Sequence, residues 1–512
     1  MKKTFYITTP IYYVSGPLHI GHLYSTIMAR IIANYKNIMG YDVKFLTGSD
    51  EHGQKIQNKA LKSGLKPKQF VDELVESYKE TWKKWSVPFD FFSRTTSPRH
   101  EKVVKKIFSW FLENEFIYKG KYEGLYSIED EEFLTKAQAL EIDGKFYHPS
   151  SKHELVQMKE ESYFFKIEKM QQWWERYIAQ NPQFLLTEKT LNEIKVNFVE
   201  QGLSDLSVTR TNVEWAIPID EDSNHTLYVW LDALFNYVTA LGYDLDNPSD
   251  NYTKYWKNGD EIVHILGKEI SRFHFIYWPM FIQALGLRQP NHIVSHGLLR
   301  DKDGRKMSKS LGNAVDPDYL FENYHPEMIK YYFASQIIFG EDGNFSEEKL
   351  RETINADLVN NYGNLVSRTL KMIANSFQNG TKYTHSDTAI HLEIENQIKK
   401  FQGEFSELMD TFKVDKAYRK MIELSSKLNK YIDETTPWKL TDNLDELNLI
   451  LNRLLNGIYA VSWALQAIMP QKVAEVATAL NIISFDKENI NNFNKFDNIK
   501  TADKFMFFAR LK

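Results

Sequence analysis

Phe5-Tyr6-Ile7, loop residues Pro10, Ser15, Gly16 and Pro17, a helical run from Leu18 to Met39, a stop at Gly40, then Val43-Lys44-Phe45-Leu46-Thr47: in that order the chain begins. The short aromatic and β-branched runs read as strands, Thr4 to Thr9 being broken by Pro10, and Gly40 supplies the residue that ends a helix. Strand, helix, strand in succession is the signature of a right-handed parallel crossover, and so of an α/β sheet that takes nucleotides at the carboxyl ends of its strands. Met1-Lys2-Lys3 could open a signal peptide, but the strand pattern that follows is not an apolar leader.

Outward from this stretch the character changes. Residues 1–116 read as the first half of a Rossmann-like, parallel-sheet domain. From Ile117 the pattern becomes short aromatic runs, among them Tyr122-Glu123-Gly124-Leu125-Tyr126 and Tyr163-Phe164-Phe165, with a turn at Asp143-Gly144; residues 117–221 form an inserted domain. Parallel-sheet runs return at Ile262-Val263-His264-Ile265-Leu266-Gly267 and His292-Ile293-Val294-Ser295-His296, so 222–299 is the second half of the split sheet. Residues 300–347 link it to a helical bundle over 348–512, where Ala417, Met421, Leu424, Leu428 and Ile432 share one face and Leu447, Leu451, Leu454, Ile458, Val461, Leu465 and Ile468 another.

Composition narrows the function. The net charge of -5 excludes a protein that coats nucleic acid by bulk charge, leaving RNA binding to local patches. With no cysteine there is no disulfide, thiolate zinc site or cysteine nucleophile, which fits a reducing cytoplasm. The longest apolar run, Phe275 to Leu287, is broken by Pro279 and Gln283 and is too short to span a bilayer; no membrane partner is expected.

Two motifs carry chemistry. His19-Ile20-Gly21-His22 lies where the loop after the first strand becomes a helix, so backbone N–H groups and two imidazoles can face one anion such as a triphosphate. Taken alone, the tetrapeptide is equally well two solvated histidines. Lys306-Met307-Ser308-Lys309-Ser310 follows the turn Asp301-Lys302-Asp303-Gly304 and places two lysines on a loop; lysines in loops are usually a solvated face, but cations there can close on phosphoryl oxygens as charge develops.

Together, in this order, the two motifs resemble the signature sequences of class I aminoacyl-tRNA synthetases. Asp50-Glu51-His52-Gly53, Val229-Trp230-Leu231-Asp232-Ala233 and Gly267-Lys268-Glu269 resemble further blocks of the methionyl-tRNA synthetase family, so that the likeness covers nearly the whole chain. It implies ligation of methionine to tRNA with ATP and magnesium: His19, His22, Lys306 and Lys309 catalytic, with Gly21, Glu269 and Ser308 also around ATP. Ile11, Tyr13, Asp50, Trp230, Ala233, Leu234, Tyr237, Ile270 and His274 would line a methionine pocket, where a polarizable thioether suits aromatic walls. By spacing alone, Trp230, Ala233, Leu234 and Tyr237 read as a core stripe, and an Asp at a strand end such as Asp50 commonly caps a turn or the next helix. Glu269 stands where relatives also carry aspartate.

The resemblance also names the segments: 300–347 contacts the tRNA stem, and 348–512 binds the anticodon through Asn364, Arg368 and Trp438. By composition those three are a surface amide, a surface guanidinium and a buried indole; as anticodon readers, the indole stacks on a base and the polar pair takes base edges. The inserted domain departs from relatives that hold zinc on cysteine knuckles. His148 and His153 do not make a ligand set, so the expectation is a metal-free domain packed by aromatics, with no zinc. Isoleucine, leucine and valine enzymes of the class carry a much larger editing insertion. The remaining expectations are a cytoplasmic monomer serving initiator and elongator tRNA(Met). Two alternatives stay open: a nucleotidyltransferase that adenylates small acids without RNA, and an inactive relative that only binds tRNA.

Overall fold

The structure is a computed structural model that describes residues 2–127, 132–136, 138–149, 151–200, 202–307, 313–377 and 379–512. The chain forms two compact units, Met1–Ala29 with Tyr41–Leu298, and Arg30–Gly40 with Leu299–Lys512.

The first unit is built on a five-stranded, wholly parallel sheet in the spatial order His292–His296, Glu261–Gly267, Thr4–Tyr13, Asp42–Asp50, Phe91–Arg94. Its central strands are apolar on both faces, with Phe5, Tyr6, Ile7, Phe45, Leu46, Val263 and Ile265 fully buried, as a sheet covered on both sides requires. The first strand is longer than the sequence suggests. It runs through Pro10 to Tyr13, and its register against Asp42–Asp50 shifts between Thr8 and Ile11. A proline has no N–H for the ladder, and this local irregularity is how a central strand accommodates one. Strand order reverses direction between Thr4–Tyr13 and Glu261–Gly267, which opens a crevice beyond their carboxyl ends.

Between Phe91–Arg94 and Glu261–Gly267 lies an antiparallel sheet. Ile117–Ser127 pairs with Val156–Phe165 from Ile117↔Phe165 to Tyr126↔Val156, flanked by Glu132–Leu134 and Leu206–Ser207. The Asp143-Gly144 turn joins Leu140–Ile142 to Lys145–Tyr147 with φ of 51° and 76°, the paired positive values of a type I′ hairpin. Phe165 packs edge-on against Phe281 at 4.8 Å and seats this sheet on the unit's core.

The second unit is helical. Ala417, Met421, Leu424, Leu428 and Ile432 form the buried face of Val414–Thr435. Leu444–Leu465 is buried nearly all round, which marks it as the bundle's central helix, and Gly457 admits the Leu428 side chain against its backbone. Beyond Pro470–Leu480 the chain departs from the helical expectation. Asn481 is left-handed at φ 54°, and the asparagine-rich stretch after it is held by buried Phe485, Ile490, Phe493 and Phe496 instead of by helix. No helix among the described residues is long and apolar enough to cross a membrane.

Candidate active site

The helix Ile20–Ile38 starts at the mouth of the crevice, directly after the first strand's loop, and brings His19, Gly21 and His22 to its amino end. The two imidazoles stack with centroids 3.8 Å apart. Their orientation is set by the backbone: the His19 N–H donates to His22 Nδ1 and the Gly21 N–H donates to His19 Nδ1, both at 3.1 Å. With each Nδ1 accepting, the proton of each neutral ring sits on Nε2. Burial, with His19 beside it, pushes His22 well below the ordinary histidine range. A Cβ at Gly21 would lie 2.9 Å from His19 Cε1, so the folded-back ring requires glycine there. Tyr12 braces the pair from below, edge-on to His22 at 4.8 Å with its hydroxyl 2.6 Å from Thr26 Oγ1.

Beside this lies the apolar set. Ile11, Trp230 and Ala233 pack in one cluster with Tyr228 and Val229. Trp230 lies flat on Phe273 at 3.5 Å, which fixes the indole plane. Tyr237 and His274 are joined by a 2.7 Å hydrogen bond from the phenol to Nε2, while His274 Nδ1 lies 3.0 Å from the Ile270 carbonyl and can only donate to it. His274 is therefore neutral, and burial lowers its pKa to about 4. Leu234 is buried in the main core, where Ile270 packs at the margin. Tyr13 pairs in register with Asp50, which is buried at the end of its strand. Glu269 is exposed on the turn Lys268–Ile270.

In the second unit, Asp301 organises the base of the lysine loop. Its carboxylate accepts from the N–H groups of Asp303 and Arg305 and from Asn313 Nδ2, at 2.8–3.0 Å. Asn313, Arg305 and these N–H groups hold Asp301 down to about 2. Asn313 also donates to the Lys306 carbonyl at 3.2 Å, tying both stems together. Lys306 is exposed; Ser308 and Lys309 lie outside the described residues. In the bundle, Asn364 is exposed at the start of Asn364–Ser376, and Arg368 lies 5.7 Å over the ring of Trp438 while pairing with Asp433 at 3.1 Å. Trp438 is 50% exposed, against the buried indole that composition favours. Asn360, Asn364 and Ser367 face Phe505, Met506 and Arg510 across a groove of about 490 Å³.

A family model described as tRNA synthetases class I (M) matches residues 5–148 and 147–370. The methionine–tRNA ligase of Mycoplasmopsis pulmonis is 48% identical over the full length of both chains. That of Lactococcus lactis is 42% identical over all of this chain and 78% of its own length. Methionyl-tRNA synthetase of Mycobacterium tuberculosis, solved in complex with methionyl-adenylate, superposes with a TM-score of 0.91 over 99% of this chain and 100% of its own, at 29% identity. The chain belongs to the class I methionyl-tRNA synthetases.

The structure adds residues that sequence reasoning passed over. In the two family blocks, the sequence points to Asp50, Trp230 and Ala233 alone, yet His52 Nδ1 lies 2.6 Å from Asp232 Oδ2 and His100 Nε2 lies 2.7 Å from Asp232 Oδ1, all three buried. Burial alone would neutralise His52, but Asp232, Glu101 and Asp50 outweigh it and raise its pKa to about 10; Asp232, buried beside two imidazoles, stays low. The pair ties the strand end that carries Asp50 to the helix Val229–Leu234 that carries Trp230 and Ala233. Glu51, fully buried, fixes the same strand end through Arg94 at 2.7 and 2.8 Å and Thr96 at 2.6 Å. Gly48 is the third omission: a Cβ there would collide with the Ser93 carbonyl and with Ile11. An acid and a histidine in adjoining family blocks were the available signal for His52 and Asp232; nothing short of the strand register signals Gly48.

Proposed function

We propose a division of labour among the residues of this family member, which uses ATP to activate methionine and transfers it to tRNA. The substrate carboxylate attacks the α-phosphorus of ATP; the bond to the bridging oxygen breaks, pyrophosphate leaves, and methionyl-adenylate remains. A hydroxyl of the terminal ribose of tRNA then attacks the acyl carbon and AMP departs. No protein nucleophile enters either step.

Neutral His19 and His22 present Nε2–H donors to the phosphates, with the helix amino end behind them, and Gly21 permits that geometry. Glu269 takes part in holding ATP, which arrives as its magnesium complex. Lys306, Ser308 and Lys309 belong to the same step on the strength of the family motif. Asp50 pairs with the methionine ammonium, and Ile11, Tyr13, Trp230, Ala233, Leu234, Tyr237, Ile270 and His274 enclose the thioether chain, His274 as a neutral ring offering no charge to repel or attract rival side chains. Asn364, Arg368 and Trp438 read the anticodon of initiator and elongator tRNA(Met), and the enzyme works as a cytoplasmic monomer.

The observation that carries this reading is the stacked, backbone-oriented pair of imidazoles at a helix amino end in the crevice of a parallel sheet. ATP–pyrophosphate exchange across the twenty amino acids tests it without tRNA. Exchange with methionine alone is expected. Exchange with a different amino acid overturns the pocket assignment, and absence of exchange overturns the activation step and leaves a tRNA-binding relative.

A further inference from the structure

Glu161, Asp222 and His225 bring one ligand atom each within 4.8 Å of one another at the edge of the inserted sheet. His225 is fully buried, yet its Nε2 makes no hydrogen bond. It points at Glu161 Oε1, 3.5 Å away, and Asp222 Oδ2, 3.7 Å away. Those same two oxygens converge on the Lys119 ammonium, at 2.8 and 2.7 Å. On its other side, His225 Nδ1 lies 3.0 Å from Thr209 Oγ1.

This arrangement leaves the imidazole poorly satisfied in either tautomer. A proton on Nε2 finds its carboxylates too distant for a good hydrogen bond; a lone pair on Nε2 faces two anions. Only a cation placed among the three atoms satisfies Nε2 and both oxygens at once, with Nδ1–H donated to Thr209 as the outer partner that orients a metal-bound imidazole. The two histidine–carboxylate spacings, 3.5 and 3.7 Å, are close to the separation of about 3.3–3.6 Å between ligand atoms that lie about 2.0–2.2 Å from a tetrahedral zinc.

We propose that Glu161, Asp222 and His225 form a site for one divalent transition-metal cation of the zinc type, in which the metal displaces the Lys119 ammonium. One nitrogen and two carboxylate oxygens are three tetrahedral ligands, and water completes the fourth, since Glu161 is 46% exposed. Lys119, with its side chain 42% exposed on strand Ile117–Ser127, withdraws into solvent. The ion would staple the turn Asp222–His225 to the long strand Val156–Phe165. This is a different place from the stretch around His148 and His153, and it uses no sulfur.

Zinc alone, titrated into the full-length chain against a chromogenic chelator, tests the site. One equivalent is expected for the wild type. His225→Gln and Asp222→Asn should each weaken it about tenfold or more, while Lys119→Met, which removes the competing ammonium, should tighten it. All variants should keep wild-type ATP–pyrophosphate exchange, which shows that they fold. Equal binding by wild type, His225→Gln and Asp222→Asn overturns the proposal, as does absence of a one-equivalent phase in both wild type and Lys119→Met. Unchanged affinity in Lys119→Met would overturn the displacement.

Discussion

His22 and His52 lie thirty residues apart in one unit, both close to the carboxyl ends of the parallel strands, yet their surroundings shift protonation in opposite directions. His22 is pushed well below the ordinary range and His52 is raised to about 10. Burial penalises the cation in both. The difference is the company: His22 has a second imidazole against it, whereas His52 has Asp232 at 2.6 Å and Glu101 at 3.7 Å. The neutral pair is oriented by backbone N–H groups that donate to both Nδ1 atoms. The charged pair spends its hydrogen bonds inside the protein and joins the strand end that carries Asp50 to the helix Val229–Leu234. A histidine is thus held neutral where no acid is near and charged within an internal ion pair where one is.

The largest effect should come from breaking the charged pair. Asp232→Asn leaves two buried imidazoles facing an amide and should cost about 3–5 kcal/mol of unfolding free energy, read by chemical denaturation. The sign with pH follows from His52. Its folded pKa, about 10, lies above its unfolded value of 6.5, so its contribution is full below pH 6.5 and is lost as pH rises through 10. Wild-type stability should fall across that window more steeply than that of Asp232→Asn; parallel profiles would show that His52 is not the titrating group.

Breaking the neutral pair should act on rate instead. On the proposed assignment, His22→Asn or His19→Asn removes one donor to the phosphates and should lower the exchange kcat by about 10²–10³-fold with a small change in the methionine KM. Gly21→Ala keeps both imidazoles but displaces the His19 ring; about a tenfold loss in the same rate is expected, in the range that follows from a displaced but intact donor. If Gly21→Ala were silent, the folded-back ring would have no part in catalysis.

How far these sites could be read in advance depends on how local their causes are. The parallel crossover and the Asp143-Gly144 hairpin were legible because periodicity and turn chemistry act over a few residues. Pro10 misled the reading of the first strand's length, since a proline in a central strand is tolerated only through a register shift that the partner strand supplies. The helical reading of 348–512 holds only as far as Leu480; from Asn481 on, buried aromatics fix an irregular chain by contacts distant in sequence. His19, Gly21 and His22 stood out as a motif, but the reason for the glycine is the ring folded over it. His52 and Asp232, 180 positions apart, are a pair only in three dimensions, and so is the cluster of Glu161, Asp222 and His225.

The smallest effect, and the one that sharpens the contrast between neutral and charged histidines most, is expected at Tyr237→Phe. His274 resembles His22 in having its pKa lowered by desolvation, but its Nε2 accepts from the Tyr237 hydroxyl and its Nδ1 proton goes to the Ile270 carbonyl. Losing the hydroxyl leaves an acceptor unsatisfied while the ring stays neutral, so the cost should be about 1 kcal/mol, seen as a roughly fivefold rise in the KM for methionine in the exchange reaction at little change in kcat. Because burial holds His274 near pKa 4, this penalty should stay level from pH 6 to pH 9. A KM effect that grew as pH fell toward 6 would mean that the imidazole takes up a proton once the phenol is gone, and that the tyrosine, more than burial, keeps the pocket uncharged.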